Sequence, residues 1–284
     1  MPLMADVAAK DVASLRKLTG AGMMDCKKAL LESDGDMEAA KDWLRKQGLS
    51  GAAKREGRAA DQGAIAVMVE PGVATVVELN CETDFVAKGP DFKAFVSTLV
   101  SQISQSGDAD IAGQAFGGST VGEAIIQLGS KLGERIELGR RARFESADGV
   151  LDAYKHVQND RGTIGVLVEL GGVSPDNEAA NAVAHDIALH IASAAPRFVS
   201  KDDVPADAIE KEREVLTELT RNEGKPEAAM EKIVTGRLNG FYKDYCLLEQ
   251  GFVKEPKTTI AALVAGLGTG VTVRRFVRIK VGED

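Results

Sequence analysis

The chain has 284 residues, 44% of them hydrophobic, and a net charge of −8, which predicts two domains, or one with a satellite, at about 100–200 residues each. That apolar content supplies a core and excludes global disorder, and the acidic balance excludes a duplex-binding protein as a whole, though not a local basic face. No run approaches the ~18 apolar residues of a membrane span, and residues 1–20 carry Asp6 and Asp11 without the apolar stretch of a signal or transit peptide.

Residues 5–48 predict three short helices. Val12, Leu15 and Leu18 are assigned to one face of the first, and Gly20 ends it. Gly22 opens the second, in which Met23, Cys26, Ala29 and Leu30 recur at spacings of three and four. Asp36 is the expected N-cap of a third, 37–47, with Gly48 closing it and Met37, Ala40, Trp43 and Leu44 as its apolar stripe. So small a helical unit suits a tethered docking module. Residues 49–62 lose the periodicity and read as linker.

From Gly63 the period becomes that of strands: 64–69, a Pro71-Gly72 turn, then 73–79. A second hairpin is expected at 150–156 and 163–170, turning near Asn159-Asp160. Val77-Glu78-Leu79 matches Val168-Glu169-Leu170 at an offset of 91 residues. Each copy leads into an apolar helix, 92–103 and 179–194, and ends in an arginine-bearing strand, 135–144 and 271–281. A duplicated α+β core with antiparallel sheets follows. Residues 205–248 interrupt the second copy with two charged helices: Ile209, Leu216 and Leu219 stripe the first, and Met230, Ile233, Val234, Leu238, Phe241 and Tyr245 the second. Narrow stripes joined by the break at Glu223-Gly224-Lys225-Pro226 predict an antiparallel helical hairpin standing off the core.

Catalytic and cofactor chemistry finds no foothold. Cys26, Cys81 and Cys246 lie far apart, without C-x-x-C or H-E-x-x-H, so reduced cytoplasmic thiols are expected and no metal site. His185 and His190 are five apart, ~140° around a helix. Gly266-Leu267-Gly268-Thr269-Gly270 follows a helix and precedes a strand, the reverse of a dinucleotide fingerprint. No G-x-S-x-G occurs, and no carboxylate pair stands out from an acidic surface. His190, taken alone, reads as a satisfied histidine near a helix end.

Cys81-Glu82-Thr83-Asp84-Phe85-Val86-Ala87-Lys88-Gly89-Pro90 resists that bland account, because an expected loop sets Phe85 and Val86 between the charges of Asp84 and Lys88. Either Phe85 tucks back into the core, or it is an exposed aromatic anchor beside a carboxylate, offered to another protein.

Two motifs carry a resemblance. Leu18-Thr19-Gly20-Ala21-Gly22-Met23-Met24-Asp25-Cys26-Lys27-Lys28-Ala29-Leu30, followed by Thr83-Asp84-Phe85-Val86-Ala87-Lys88, closely resembles bacterial elongation factor Ts, and the likeness covers essentially the whole chain. The resemblance implies a ubiquitin-associated-like module at 1–56 with its linker, core subdomains at 57–147 and 148–284, and a protruding coiled-coil hairpin inserted at 205–248. It implies guanine-nucleotide exchange on elongation factor Tu, GDP-bound and nucleotide-free, in the cytoplasm, with no bond-making residue, cofactor, nucleic acid or membrane involved. Thr83, Asp84, Phe85 and Val86 match the loop that disturbs the partner's Mg²⁺ region. Arg16, Met23, Met24 and Lys27 match contact positions of the helical module, Leu132-Gly133 stands where the family has Ile-Gly, and His190 matches a histidine that reaches the third Tu domain. A homodimer and a 2:2 assembly with Tu are both compatible with the sequence, as is a non-exchanging adaptor using the helical module and coiled coil. The end at Glu283-Asp284 leads us to expect that the C-terminal helix of better-known members is missing.

Overall fold

The computed structural model describes residues 7–283; Asp6 and Asp284, used above, lie outside them. Helices α1 (Ala9–Thr19), α2 (Met23–Glu32) and α3 (Met37–Arg55) enclose a small core of Val12, Leu15, Cys26, Ala29, Leu30 and Ala40. Asp36 caps α3 by accepting the Ala39 N–H at 2.8 Å. Leu18 and Met23 leave this core, at 64% and 57% exposure. A strict three-residue spacing drifts about 60° per step on a 3.6-residue helix, so by the second step from Val12 it has left the buried face.

Two further expectations are corrected here. Gly48 does not end α3, and the expected linker begins only after Arg55. A Cβ on Gly48 would lie 3.2 Å from the Ser130 hydroxyl, so its bareness serves a close crossing of two helices rather than a cap. The segment after Thr83 is not an open loop but a helical turn, α4 (Asp84–Lys88).

The first sheet consists of β1 (Gln62–Glu70), β2 (Val73–Cys81) and β5 (Ile136–Glu145), ordered β1-β2-β5 and antiparallel throughout. Between β2 and β5 run α4, α5 (Pro90–Ser106), the two-residue strands β3 (Ala115–Phe116) and β4 (Ser119–Thr120), and α6 (Val121–Leu132). The second sheet repeats the plan with β6 (Val150–Gln158), β7 (Arg161–Gly171) and β10 (Thr272–Lys280), ordered β10-β7-β6. Its hairpin turns through Asn159 and Asp160, both left-handed at φ 52° and 62°, as a two-residue turn matched to strand twist requires. Helix α7 (Glu178–Ala194) follows. After it come α8 (Ala206–Asn222), α9 (Met230–Tyr245), the short strands β8 (Gly251–Phe252) and β9 (Glu255–Thr259), and α10 (Ile260–Ala265).

The two sheets pack face to face in a helix–sheet–sheet–helix stack. Strand alternation sorts the layers: Ala64, Val77 and Leu79 face α5 and α6, Ile65, Val76, Leu167 and Ile279 meet between the sheets, and Val166, Val168 and Leu170 face α7 and α10. Gly165 permits the contact between sheets, since a Cβ there would stand 2.6 Å from both Ile65 and Val76 side chains. Helices α8 and α9 pack on one another. Along α8 it is Thr220, not Leu219, that continues the buried line from Ile209 and Leu216, and Leu219 is 48% exposed. No described helix is long and apolar enough to cross a membrane.

Candidate functional site: the Thr83–Val86 turn

Strand β2 ends at Cys81, and the chain must reverse before α5 can lie back across the sheet. Thr83 makes the reversal. It is extended (φ −126°, ψ 153°), and its Oγ1 accepts the Val86 N–H at 3.4 Å as the N-cap of α4. The four residues of the turn then diverge. Val86 leans on the core beneath α5 and Ala87 is fully buried, whereas Phe85 is 83% exposed. Of the two readings of Phe85, the exposed one is correct. A five-residue helix projects successive side chains about 100° apart, so burying Val86 and Ala87 leaves Phe85 outside. Asp84 forms an ion pair with Lys88 one turn on, and hydrogen bonding from Lys88 holds its carboxyl below the usual range.

Two carboxylates hold the turn. The Glu134 side chain, just past the end of α6, accepts the Glu82 N–H at 3.1 Å and the Thr83 N–H at 3.0 Å on Oε2, and the Thr83 hydroxyl donates to its Oε1. In return the Glu82 carboxylate accepts the Arg135 N–H at 2.6 Å and pairs with Arg58 at 3.2 Å. The bond from the Arg135 amide is the leading cause that lowers the Glu82 pKa. The Arg135 guanidinium donates to the Arg58 carbonyl. Neither glutamate was singled out in the sequence. The signal available was a carboxylate placed just after a glycine-capped helix, which says nothing about which amides it meets 51 and 52 residues away.

The same connection gathers several expected site residues. Leu132 is half-buried and Gly133 exposed, immediately before Glu134. Lys131 pairs with Asp91 at the start of α5 at 2.9 Å, and its stem lies 3.4 Å from where a Cβ of Gly20 would be. The Thr19-Gly20-Ala21-Gly22 turn of the helical module therefore abuts the end of α6, two residues from Gly133. Arg16, Met24 and Lys27 are exposed beside that turn in sequence, and Met23 and Met24 reach 57% and 73% exposure. His190 does not join them. It is 1% exposed, in the layer beneath the second sheet. Its Nε2 lies 2.9 Å from Gln250 Oε1 and its Nδ1 accepts the Val253 N–H at 3.3 Å. Burial lowers its pKa. The expected contact at His190 is thus corrected: with both nitrogens occupied inside the chain, it offers no surface to another molecule.

Among the described residues no cluster of His, Cys, Asp or Glu could hold a metal ion. The three free cysteines are buried, and desolvation pushes the Cys81 thiol up to about 12. What the site offers is an exposed aromatic on a rigidly anchored turn, a geometry for binding rather than for bond-making.

Comparison with known proteins agrees with that character. The sequence model of the family described as Elongation factor TS matches residues 82–283, and that described as Elongation factor Ts, mitochondrial, N-terminal matches residues 3–56. The chain is 46% identical to the Elongation factor Ts of Streptomyces avermitilis, covering 98% of this chain and all of that protein. It is 44% identical to that of Micrococcus luteus and 45% identical to that of Mycobacterium avium, in each case over 99% of this chain and all of the relative.

Proposed function

Because the chain belongs to the elongation factor Ts family, and so is a nucleotide-exchange factor of translation elongation rather than an enzyme, we propose that its Thr83–Val86 turn is the element that opens elongation factor Tu. The observation that carries this reading is the 83% exposure of Phe85 on a turn fixed from both sides. Of the exposed large apolar side chains among the described residues Phe85 is the most exposed, and an aromatic ring presented on a fixed turn is the kind of anchor a partner's pocket takes up. We read Phe85 as a wedge entering the Tu nucleotide domain beside its Mg²⁺ site, with Asp84 at its flank. Displacing the groups that hold Mg²⁺ leaves phosphate charge uncompensated, so GDP departs.

An exchange factor must bind nucleotide-free partner more tightly than loaded partner, and this coupling is reciprocal: nucleotide weakens Ts binding by the factor by which Ts weakens nucleotide. Residues 1–56 serve as a ubiquitin-associated-like docking module through Arg16, Met23, Met24 and Lys27, and Leu132-Gly133 supplies a contact between that module and the wedge. Residues 57–147 and 148–284 act as the two core subdomains, with 205–248 a coiled-coil hairpin. His190 enters as a brace for the Gln250–Val253 segment and not as a contact. The protein works in the cytoplasm on GDP-bound Tu.

Release of a fluorescent GDP analogue from Tu at catalytic ratio tests this. Turnover by the native chain and loss on the order of 2–4 kcal/mol of coupling in Phe85→Ala are expected. Undiminished exchange by that variant refutes the wedge. Binding that is indifferent to GDP would make the chain an adaptor.

A further inference from the structure

The crossed carboxylates beneath the wedge have a role that packing alone does not require. We propose that Glu134 is a positioning residue for nucleotide exchange: it locks the backbone that aims Phe85, and through Leu132-Gly133 it ties the aim of the wedge to the surface beside the helical module. The inference rests on the wedge reading of Phe85.

The geometry is specific to the turn. One carboxylate receives three donors from two consecutive residues, the Glu82 amide, the Thr83 amide and the Thr83 hydroxyl. Without it the two amides would face a reversal of the chain with no strand partner, because the pairing of β2 stops at Cys81. Thr83 Oγ1 is doubly engaged, donating to Glu134 while accepting from Val86, so the carboxylate also sets the rotamer that caps α4. Phe85 sits one residue before that capped amide. Rotation at Thr83 would swing the ring, and the 83% exposed ring makes little packing of its own to oppose the swing beyond what Val86 and Ala87 make beneath it. The reciprocal bond from Arg135 N–H to Glu82 makes the two segments one unit, and Arg58 attaches the chain leaving α3 to it. Glu134 follows directly on Gly133, so movement at the α6 terminus is passed to the turn through three charge-assisted hydrogen bonds, beside the core that Leu132 and Val86 share.

The test compares Glu134→Ala and Glu134→Gln with Phe85→Ala in the full-length protein, using release of a fluorescent GDP analogue from Tu together with amide hydrogen exchange of the free factor. Glu134→Ala is expected to release the Glu82 and Thr83 amides from protection and to slow GDP release about tenfold, the factor carried by one charge-assisted hydrogen bond. Its melting transition should be lowered by the loss of these hydrogen bonds yet remain a single cooperative step, so that the folded turn can still be assayed. Glu134→Gln, which keeps an acceptor oxygen, should recover most of both effects. In a Phe85→Ala background Glu134→Ala should change release no further, because it acts through the ring. Unchanged amide protection, or equal slowing with and without Phe85, overturns the proposal. Undiminished release by Phe85→Ala alone overturns the wedge reading instead, and the amide protection then still reads whether Glu134 holds the turn.

Discussion

The two halves of the core are the same machine with one part changed. Strands β2 and β7 superimpose in sequence at an offset of 91 residues, through Val77-Glu78-Leu79 and Val168-Glu169-Leu170. The helices that follow do not keep that offset. Phe92, Val96, Leu99, Val100, Ile103 and Ser104 of α5 are buried, and so are Ala180, Ala184, Ile187, Ala188, Ile191 and Ala192 of α7, each 88 residues further on. The first connection is therefore three residues longer than the second (91 − 88), and those residues lie where α4 and Phe85 are. A framework fixed by burial tolerates variation in its connections, and function is carried there. The second half is elaborated instead between α7 and β10, where α8 and α9 are inserted.

The buried glutamates sharpen the comparison and give the largest expected effect on stability. Glu78 and Glu169, 2% and 3% exposed, each meet arginine from the third strand of their sheet at a bulge. The first half supplies one arginine, Arg140, 3.0 Å away; the second supplies two, Arg274 at 3.0 Å and Arg275 at 2.6 Å. Arg140→Ala leaves Glu78 with only the residue-140 amide, a bond of 3.2 Å in the native chain, and should cost about 3 kcal/mol in denaturant unfolding. Arg275→Ala leaves Glu169 its bond to Arg274 and should cost about 1–2 kcal/mol. Equal losses would show that the second arginine of the second half adds nothing.

Phe85→Ala is the converse case, with a large effect on partner coupling and almost none on unfolding, because the side chain buries little in the free protein. A drop in stability approaching 1 kcal/mol would mean that the ring is part of the first half's core after all. Gly165→Ala comes next. The new methyl would stand 2.6 Å from Ile65 and from Val76 across the sheet interface, and overpacking of that kind should cost about 1–3 kcal/mol in a thermal or denaturant transition. Because Gly165 belongs to the second half and its neighbours to the first, the loss measures how tightly the halves are fitted.

The strands and the repeat were legible in the sequence because β2 and β7, buried on both faces, read as short continuous apolar runs bounded by turns, and the two hairpin turns announced themselves in Pro71-Gly72 and Asn159-Asp160. The exposed residues of the turn were legible as an anomaly: Phe85 among charges has no bland explanation once Val86 takes the core. What could not be read were long-range polar partners. Glu134 looked like any glutamate after a helix, and Gly48 looked like a helix stop, because glycine signals both an end and a close crossing. The resemblance to a family carried His190 onto a contact surface, whereas the residues alone had suggested the satisfied histidine that the structure contains.

His190 also marks where the halves diverge most quietly, and it gives the smallest predicted effect. It is the one buried residue of α7 with no buried counterpart in α5: 88 residues earlier stands Gln102, half-buried and bonded to Ser106 and Gln114. Only the second half has the Gln250–Val253 segment to cover that position. With Nδ1 accepting from Val253, the ring is neutral and Nε2 donates to Gln250; protonation would abolish the acceptor. Burial therefore holds the pKa below 6.5, against a smaller opposing pull from Gln250. The unfolded chain binds a proton near 6.5 that the folded chain refuses, so this contribution to stability is complete above that pH and is lost as the pH falls towards the folded value. The unfolding free energy of the native chain minus that of His190→Gln, from denaturant titrations, should fall between pH 7.5 and pH 5.5, at a slope of no more than about 1.4 kcal/mol per pH unit. Gln102→His in the first half should show no such slope, because that position is only half-buried and no counterpart of the Gln250–Val253 segment closes over it. A slope there would mean that the histidine's environment is made by the shared framework, and not by the segment that only the second half carries.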